Sequence, residues 1–534
     1  MKKLLLWITT FVLVVSVIAT FSLAGCKEEE VVEEEEEVAE EVAEEEEPTE
    51  EGEIETEGLL YSVLQYPTKQ EKEAILAARK IAQELGGQVT LKVVLSPDNV
   101  IDFEPFYPEW ERETGIKLET ITIPWPDWYK ELLNVSITKT DKYDVLMIAP
   151  QWIPDLAEAK VLENLTPYIE KYKPEATDPN SPNRVLDGLA SLQKYKDDYY
   201  TLLSDTDVSM IYLRKDLLED PSNKAAFEAE YGYPLEKPKT IEEWKDQLEF
   251  FTNPEEGSYG MTAKWGDEAL TDFYPRLLSK GITFFDDEMH PNINSPEAVE
   301  ALQEMKDFLA YVLPGSLEFN SGRNMEAFAT GKAYCTNALT WVQAAVENPE
   351  FSTIVGNVTY APYPGRMING ELINPQSQFW GWGYSVSAYS KYKELAYLYG
   401  QWMNGAAMNA RVGLTPGGWY DICKVSNYDE TLFPEIRRKN GGVYMDEWLE
   451  VQEWQVENCF PPISIRGGSE YETVLSEAVS AVLNDVMEPQ EALDDVAVKW
   501  EEITERYGRE EQIESWNSLK SIYSPNVQKM LGIE

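Results

Sequence analysis

The chain has 534 residues, 43% of them hydrophobic, with 16 Trp, 30 Tyr and 17 Phe, a supply of core material that a disordered chain lacks. A formal net charge of −51, one His and four Cys exclude a phosphate-binding basic surface, a multi-histidine zinc site, and any His-assisted nucleophile that does not use His290. At roughly 150 residues per domain the length allows about three domains, or two large lobes with appendages.

Lys2 and Lys3 precede an apolar run from Leu4 to Leu23, which closes in LAGC with small residues directly before Cys26. The layout resembles a bacterial lipoprotein signal, in which the Cys26 thiol is acylated and becomes the mature N-terminus. A run of this length also suits an N-terminal transmembrane anchor, and either reading puts the rest of the chain outside the cytoplasm. Residues 27–58 carry 19 Glu against one Lys. Such a segment repels itself and buries too little to offset its ordering entropy, so it is expected to be an extended tether. Cys335, Cys423 and Cys459 remain, an odd number that permits at most one internal disulfide. The pair expected is Cys423 with Cys459, although spacing cannot show proximity.

Within the body, EKEAILAARKIAQELGG (71–87) places Ala74, Ile75, Ala78, Ile81, Ala82 and Leu85 at helical spacing and stops on paired glycines. The strand QVTLKVVLS follows from Gln88. FYPEWERETG (106–115) reads as a helix ending on glycine, and IKLETITI (116–123) as an alternating strand, which together suggest a parallel α/β unit. The helix ELLNVSITK (131–139) leads to YDVLMIAP (143–150), a short apolar strand of the kind buried on both faces. TIEEWKDQLEFF (240–251) opens with a Thr cap and a Glu three residues later, a capping box. NSPEAVEALQEMKDFLAYVLPG (294–315) repeats the device with Ser295 as cap and Pro296 at the first helical position. Further amphipathic helices are expected over 390–405 and 488–508.

Several of these segments occur in an order that resembles the family 1 extracellular solute-binding proteins, the sugar-type substrate-binding lipoproteins of ATP-binding-cassette importers. Its carriers are FYPEWERETGIKLE (106–119), KYDVLMIAPQWIPDLAEAKVLENLTPYI (142–169), DVSMIYLRKDLL (207–218), PKTIEEWKDQ (238–247), MEAFATGKAYCTNALTWVQ (325–343), GWGYSVSAYSKYKELAYLYGQWM (381–403) and QEALDD (490–495). The resemblance implies an α/β, two-lobed periplasmic-binding-protein fold of the type II kind, with hinge segments crossing between lobes and a cleft that closes on its ligand. Crossings are expected near 203–207, 379–384 and 442–453. The implied organisation is a signal at 1–26, the tether at 27–58, an N-terminal helical extension at 59–87, lobe one at 88–204 and 383–446, lobe two at 205–382 and 447–525, and a C-terminal tail at 526–534.

A sugar presents apolar C–H faces ringed by hydroxyls, so its site needs flat aromatic platforms together with carboxylates and amides. Trp152 follows the 143–150 strand at its carboxyl end, where α/β sheets bind ligands. Trp341 follows the GKAYCTNALT strand, at a position where the family often carries a stacking Trp. Trp380 and Trp382 flank a glycine on an expected crossing. Trp419 sits in the glycine-rich LTPGGWYD, and Tyr471 opens a helix near where a maltose-binding relative supplies an aromatic. Trp125 and Trp128, in PWPDW, read as a proline-rigidified corner rather than a site. For the hydroxyls, Asp207 in SDTDVSMIY matches a family acidic position at the lobe crossing, with Asp205 as its near rival.

His290, in DDEMHPN, reads as a loop residue. TDPNSPNRVLDG (177–188) offers Asp178, Asn180 and Asp187 but sets Pro182 at the third ligand place and lacks the Gly and closing Glu of a calcium loop, so neither metal nor cofactor is expected.

The function expected is that of a membrane-tethered, monomeric receptor on the outer side of a bacterial membrane, anchored by lipid on Cys26. It takes a carbohydrate, an oligosaccharide in the first instance, to the permease subunits of an ATP-binding-cassette importer, without catalysis and without nucleic acid. The alternatives are the same fold carrying a non-sugar solute such as a polyamine, whose charge an acidic cleft favours, and a secreted glycan hydrolase using two carboxylates.

Overall fold

A computed structural model describes residues 68–376, 381–415, 418–437 and 444–533. The expectations placed on Cys26, on the tether at 27–58 and on Trp380 lie outside the described residues.

The strands in chain order are β1 Thr90–Leu95, β2 Lys117–Thr122, β3 Val145–Ile148, β4 Lys194–Tyr195, β5 Asp198–Tyr199, β6 Leu202–Leu203, β7 Ser209–Arg214, β8 Tyr259–Thr262, β9 Ala333–Leu339, β10 Val358–Ala361, β11 Arg366–Ile368, β12 Glu371–Ile373 and β13 Gly383–Val386. They build a five-stranded sheet in the order β2-β1-β3-β13-β6 and a four-stranded sheet in the order β10-β7-β9-β8, with β4-β5 and β11-β12 as separate hairpins. β1, β2 and β3 are parallel, as the strand–helix–strand order predicts. β13 returns from the far end of the chain to pair antiparallel with both β3 and β6.

Two α/β lobes result, one around each sheet, and alternation along β7 divides their hydrophobic cores. Met210 and Tyr212 pack with the core that surrounds the first sheet, whereas Ile211 and Leu213 face the core of the second lobe's helices. The first core therefore runs without a break from the first sheet to the near face of the second.

Local chemistry explains the element boundaries. The helix Tyr107–Thr114 ends at Gly115, whose left-handed backbone (φ 77°) lets its N–H reach back to Glu111 O. Thr240 and Glu243 make both bonds of the capping box that starts Ile241–Phe250. Ser295 caps Pro296–Asp307. PWPDW departs from expectation: Trp125 is the first residue of the helix Trp125–Thr138, with Pro124 as its cap and Asp127 in its first turn. The segment expected as a C-terminal tail carries the helix Pro525–Leu531, which buries Val527 and Leu531 in the second core.

The helix Lys69–Glu84 packs on the helix Lys393–Met403 and buries Ala74, Ile75, Ala78 and Ala82. Its Glu71 is fully buried, and Oε1 accepts from Ala407 N (2.9 Å) and Met408 N (3.3 Å). The carboxylate thus caps the helix Ala406–Gly413 from another element, where a negative charge also suits the helix dipole. Burial nevertheless outweighs these bonds and pushes Glu71 up to about 7, with the neighbouring Glu175 adding to the rise.

A carboxyl raised in the fold holds its proton more tightly than in the unfolded chain, so its stabilising contribution is complete below about pH 4.5 and is lost as pH rises toward 7. We expect Glu71→Gln to match the wild type in acid and to exceed its stability by ~2 kcal/mol at pH 8. Denaturant melts at the two pH values measure this, and an equal difference at both would refute it.

Candidate functional site

The carboxyl ends of β1, β2, β3 and β6 and the start of antiparallel β13 lie on one edge of the first sheet. The carboxyl ends of β8 and β9 and the start of β7 lie on one edge of the second. Residues 204–208 run from the end of β6 to the start of β7, so the two edges meet at this crossing. Ligands of open α/β sheets bind at such strand ends.

Among the described residues this edge of the first lobe carries five aromatic rings. Trp125 stacks on Trp152 at 5.8 Å between centroids, Trp128 stacks on Trp382 at 4.9 Å, and Tyr129 leans on Trp152 at 5.5 Å. Trp128 and Trp152 are buried, Trp382 is half-buried, and Trp125 is 45% exposed. Trp152 and Trp382 thus act mainly as the backing of a platform, and Trp125, which the sequence presents as a corner, is its most exposed ring among these.

A second stack spans the lobes. Trp341, just beyond β9, lies on Trp419 at 4.4 Å and 20°. Trp419 is set by its own backbone, since its N–H donates to Asp102 Oδ1 at 3.0 Å. Burial pushes Asp102 up to about 7, against the bonds from Asn99 and Trp419.

Three carboxylates meet at the crossing. Asp205 and Asp207 project from it and Asp421 from the loop after Trp419; all three are buried, and one oxygen of each lies within 4.8 Å of the others. Asp421 N donates to Asp205 Oδ1 at 2.8 Å, and Tyr444 OH reaches Asp421 Oδ1 at 3.3 Å. Burial, reinforced by the neighbouring carboxylates, holds Asp205 and Asp207 far above the usual carboxylate range. Lys264, fully buried beside Asp207, directs its Nζ to Thr271 Oγ1 (2.7 Å), Glu268 Oε2 (2.9 Å) and Ser209 Oγ (3.3 Å).

Buried polar atoms without a hydrogen-bond partner mark the same strand ends. They include both amide atoms of Gln151 after β3, of Asn337 in the last half of β9 and of Gln343 beyond it. Buried groups of this kind ordinarily find partners, and each one left unmet costs about 1–3 kcal/mol. A hydroxyl-rich guest offers the missing donors and acceptors. Beside the Trp152 turn a groove of about 880 Å³ opens, with Pro150, Pro154, Tyr195, Arg466 and Leu519 in its walls.

The structure therefore brings Trp152, Trp382, Trp341, Trp419, Asp205 and Asp207 to the facing edges and adds Trp125, Asp421, Gln151, Asn337 and Gln343. Tyr471 lies elsewhere. It is fully buried in the second core, its ring edge-on to Phe285 at 5.3 Å and its hydroxyl paired with Thr504 (2.8 Å) and Gln512 (3.0 Å), so it is a packing residue. The expected disulfide is also absent: Cys423 and Cys459 are separate buried thiols, directed at Leu203 O and at Phe460 O. His290 is exposed on a loop and pairs with Glu501 at 2.7 Å.

Two lobes, a crossing and opposed strand edges define a solute-binding protein by architecture, and comparison with known proteins agrees. Residues 99–410 match the family model described as bacterial extracellular solute-binding protein, and the chain belongs to that family. Among solved structures it is similar to an ABC transporter solute-binding protein from Agrobacterium radiobacter K84 in complex with ribitol, at 21% identity and TM-score 0.64 over 78% of this chain and 98% of that one. It is likewise similar to maltose-bound MalE3 of T. maritima, at 20% identity and TM-score 0.64 over 78% and 100%. The GacH receptor of Streptomyces glaucescens, solved with acarbose, matches at 18% and 0.62 over 78% and 98%. No helix among the described residues is long and apolar enough to cross a membrane.

Because burial shields the thiols of Cys335, Cys423 and Cys459 and raises those of Cys335 and Cys423, these three should resist a thiol reagent in the native chain. Under denaturant without reductant Cys335, Cys423 and Cys459 should all react. Reaction of one alone would reveal a bridge.

Proposed function

We propose that the chain is a membrane-tethered receptor that captures a carbohydrate between its lobes and hands it to an ATP-binding-cassette importer, catalysing nothing. The observation that carries this reading is the pairing, at the facing strand edges, of the partly exposed Trp125 indole with buried, unpartnered carboxamides and carboxylates. An indole covers the C–H face of a pyranose, and the amide and acid groups take its hydroxyls. Relatives of the same fold solved with ribitol, maltose and acarbose support the ligand class.

An oligosaccharide suits the site better than a single ring. Two separate Trp stacks, Trp125–Trp152 and Trp341–Trp419, and the groove beside Pro150 offer more platform than one sugar fills. The tether at 27–58 and lipid on Cys26 would hold the receptor at the membrane surface, within reach of the permease.

The test is a thermal-shift screen against mono- and oligosaccharides, polyols and polyamines, followed by calorimetry on the responders. A ligand at 100 times its Kd should add about 2.7 kcal/mol of stability. Trp125→Ala should weaken the cognate glycan by roughly tenfold or more and lower the unliganded melting temperature only modestly, since the ring is nearly half exposed although it also stacks on Trp152. Intact glycan recovered after incubation separates a receptor from a hydrolase. A response to polyamines with silence across all sugars would overturn the carbohydrate reading and leave the receptor role standing.

A further inference from the structure

A second fastening joins the lobes, through residues that play no part in the crossing at 204–208. Asp155 belongs to the short helix Ile153–Glu158, whose Ile153 and Leu156 lie in the first core. Gly467 precedes the helix Gly468–Leu483, whose Tyr471, Leu475 and Val479 lie in the second. Gly467 N donates to Asp155 Oδ1 at 2.9 Å, and the other oxygen, Oδ2, accepts from Tyr129 OH at 2.7 Å. A carboxylate of one lobe thus meets the N-terminal end of a 16-residue helix of the other, where N–H groups lack partners within the helix and the dipole favours negative charge.

The local sequence permits this approach. Gly467 takes a left-handed backbone (φ 76°), and a Cβ there would lie 2.4 Å from the Tyr507 ring. A Cβ on Gly468 would lie 2.0 Å from Ile463 O. Only a glycine pair therefore fits this turn, and it leaves the Gly467 amide bare before Asp155. The helix has no side-chain cap of its own, so the acid of the first lobe supplies one from outside. Burial raises the Asp155 carboxyl above its ordinary range, in spite of the bonds from Gly467 and Tyr129 and the nearby Arg466. Parting of the lobes returns that desolvation cost, so the bond is one that opening does not heavily penalise.

The contact also bounds the aromatic platform. Ser204 N, on the crossing, donates to Trp382 O at 2.9 Å. Trp382 stacks on Trp128 and stands edge-on to Trp152 at 5.8 Å, and Tyr129, which leans on Trp152, reaches Asp155. The rings therefore run from the crossing to the bond between Asp155 and Gly467. The chain itself fastens the first end, and only the second can part.

We propose that Asp155 and the Gly467 amide form a latch that holds the lobes together with or without solute and must open for solute to leave. Asp155 is a positioning residue, acting through the lobes and not on the solute. The latch rests on reading the chain as a receptor whose lobes part, and not on the solute being a sugar.

The test measures interlobe distance in the full chain, without solute, by electron–electron double resonance. Spin labels go on Ile137→Cys and Val486→Cys, exposed positions near the far ends of the helices Trp125–Thr138 and Gly468–Leu483. Cys26→Ser is the common background, and the other three thiols are buried. The labelled wild type should show a short distance, and Asp155→Ala should shift the ratio of long to short distances by roughly tenfold toward the long. Asp155→Asn, which keeps an acceptor for Gly467 N, should stay near the wild type. Tyr129→Phe, which frees Asp155 Oδ2 but keeps the ring, should shift the ratio the same way by less, and it repeats the test if Asp155→Ala does not fold. Identical distance distributions in the wild type, Asp155→Ala and Tyr129→Phe would overturn the latch. That failure leaves the carbohydrate reading untouched, since the thermal-shift screen decides it separately.

Discussion

Residues 204–208 carry the chain from one lobe to the other through the protein interior, and a buried extended segment must have its peptide groups satisfied without water. Side chains from distant elements do this. Lys424 Nζ donates to Leu203 O at 2.9 Å and Asn409 Nδ2 to Ser204 O at 2.6 Å. Thr340 Oγ1 and Gln452 Nε2 donate to Thr206 O, and Gln455 Nε2 donates to Ser209 O. The donors come from both lobes, so the crossing is the place where the fold is fastened together. Its rigidity fixes where Asp205 and Asp207 can stand.

The same need for partners explains the loop after the helix Ala406–Gly413. Asn409 serves twice, donating to Ser204 O and accepting from Cys423 N at 2.8 Å. That helix is in turn capped by Glu71 from the N-terminal helix. A chain of contacts thus links the N-terminal helix, through one cap and one amide, to the loop that positions Trp419 and Asp421. Removing water from these groups raises the carboxyls at Glu71, Asp102 and Asp421 to about 7, a measure of how strongly the interior opposes their ionisation.

Much of this is legible in sequence where periodicity or a cap announces an element. Thr240 with Glu243 and the strand at 143–150 are examples, and so is the order of motifs that suggests two lobes. The site is legible where a residue directly follows a strand, as with Trp152 and Trp341, because a strand end is a place in space as well as in sequence. Elsewhere the sequence misleads for physical reasons. The position of Tyr471 at a helix start suggests a ligand contact, but the start does not say which way the side chain turns, and here it turns inward to Thr504 and Gln512. Trp125 sits in what reads as a proline-rich corner, although a proline pair with Asp127 close behind is also how a helix begins. Cys423 and Cys459 differ in surroundings that spacing does not encode.

Asp421 is the most instructive omission. It lies in an aperiodic loop, one of 96 acids, and nothing local distinguishes it. Its importance arises only when the loop is held against the crossing, where its main chain bonds Asp205 and its side chain meets the same cluster. A site assembled from a crossing strand and a far loop is set by tertiary closure, and its residues become visible only as a set. Desolvation of three neighbouring acids opposes that closure and raises their affinity for protons, while the bonds from Asp421 N and Tyr444 OH favour it. The acids and the fastening of the lobes therefore form a single energetic problem, because the bonds that satisfy the acids also hold the far loop against the crossing.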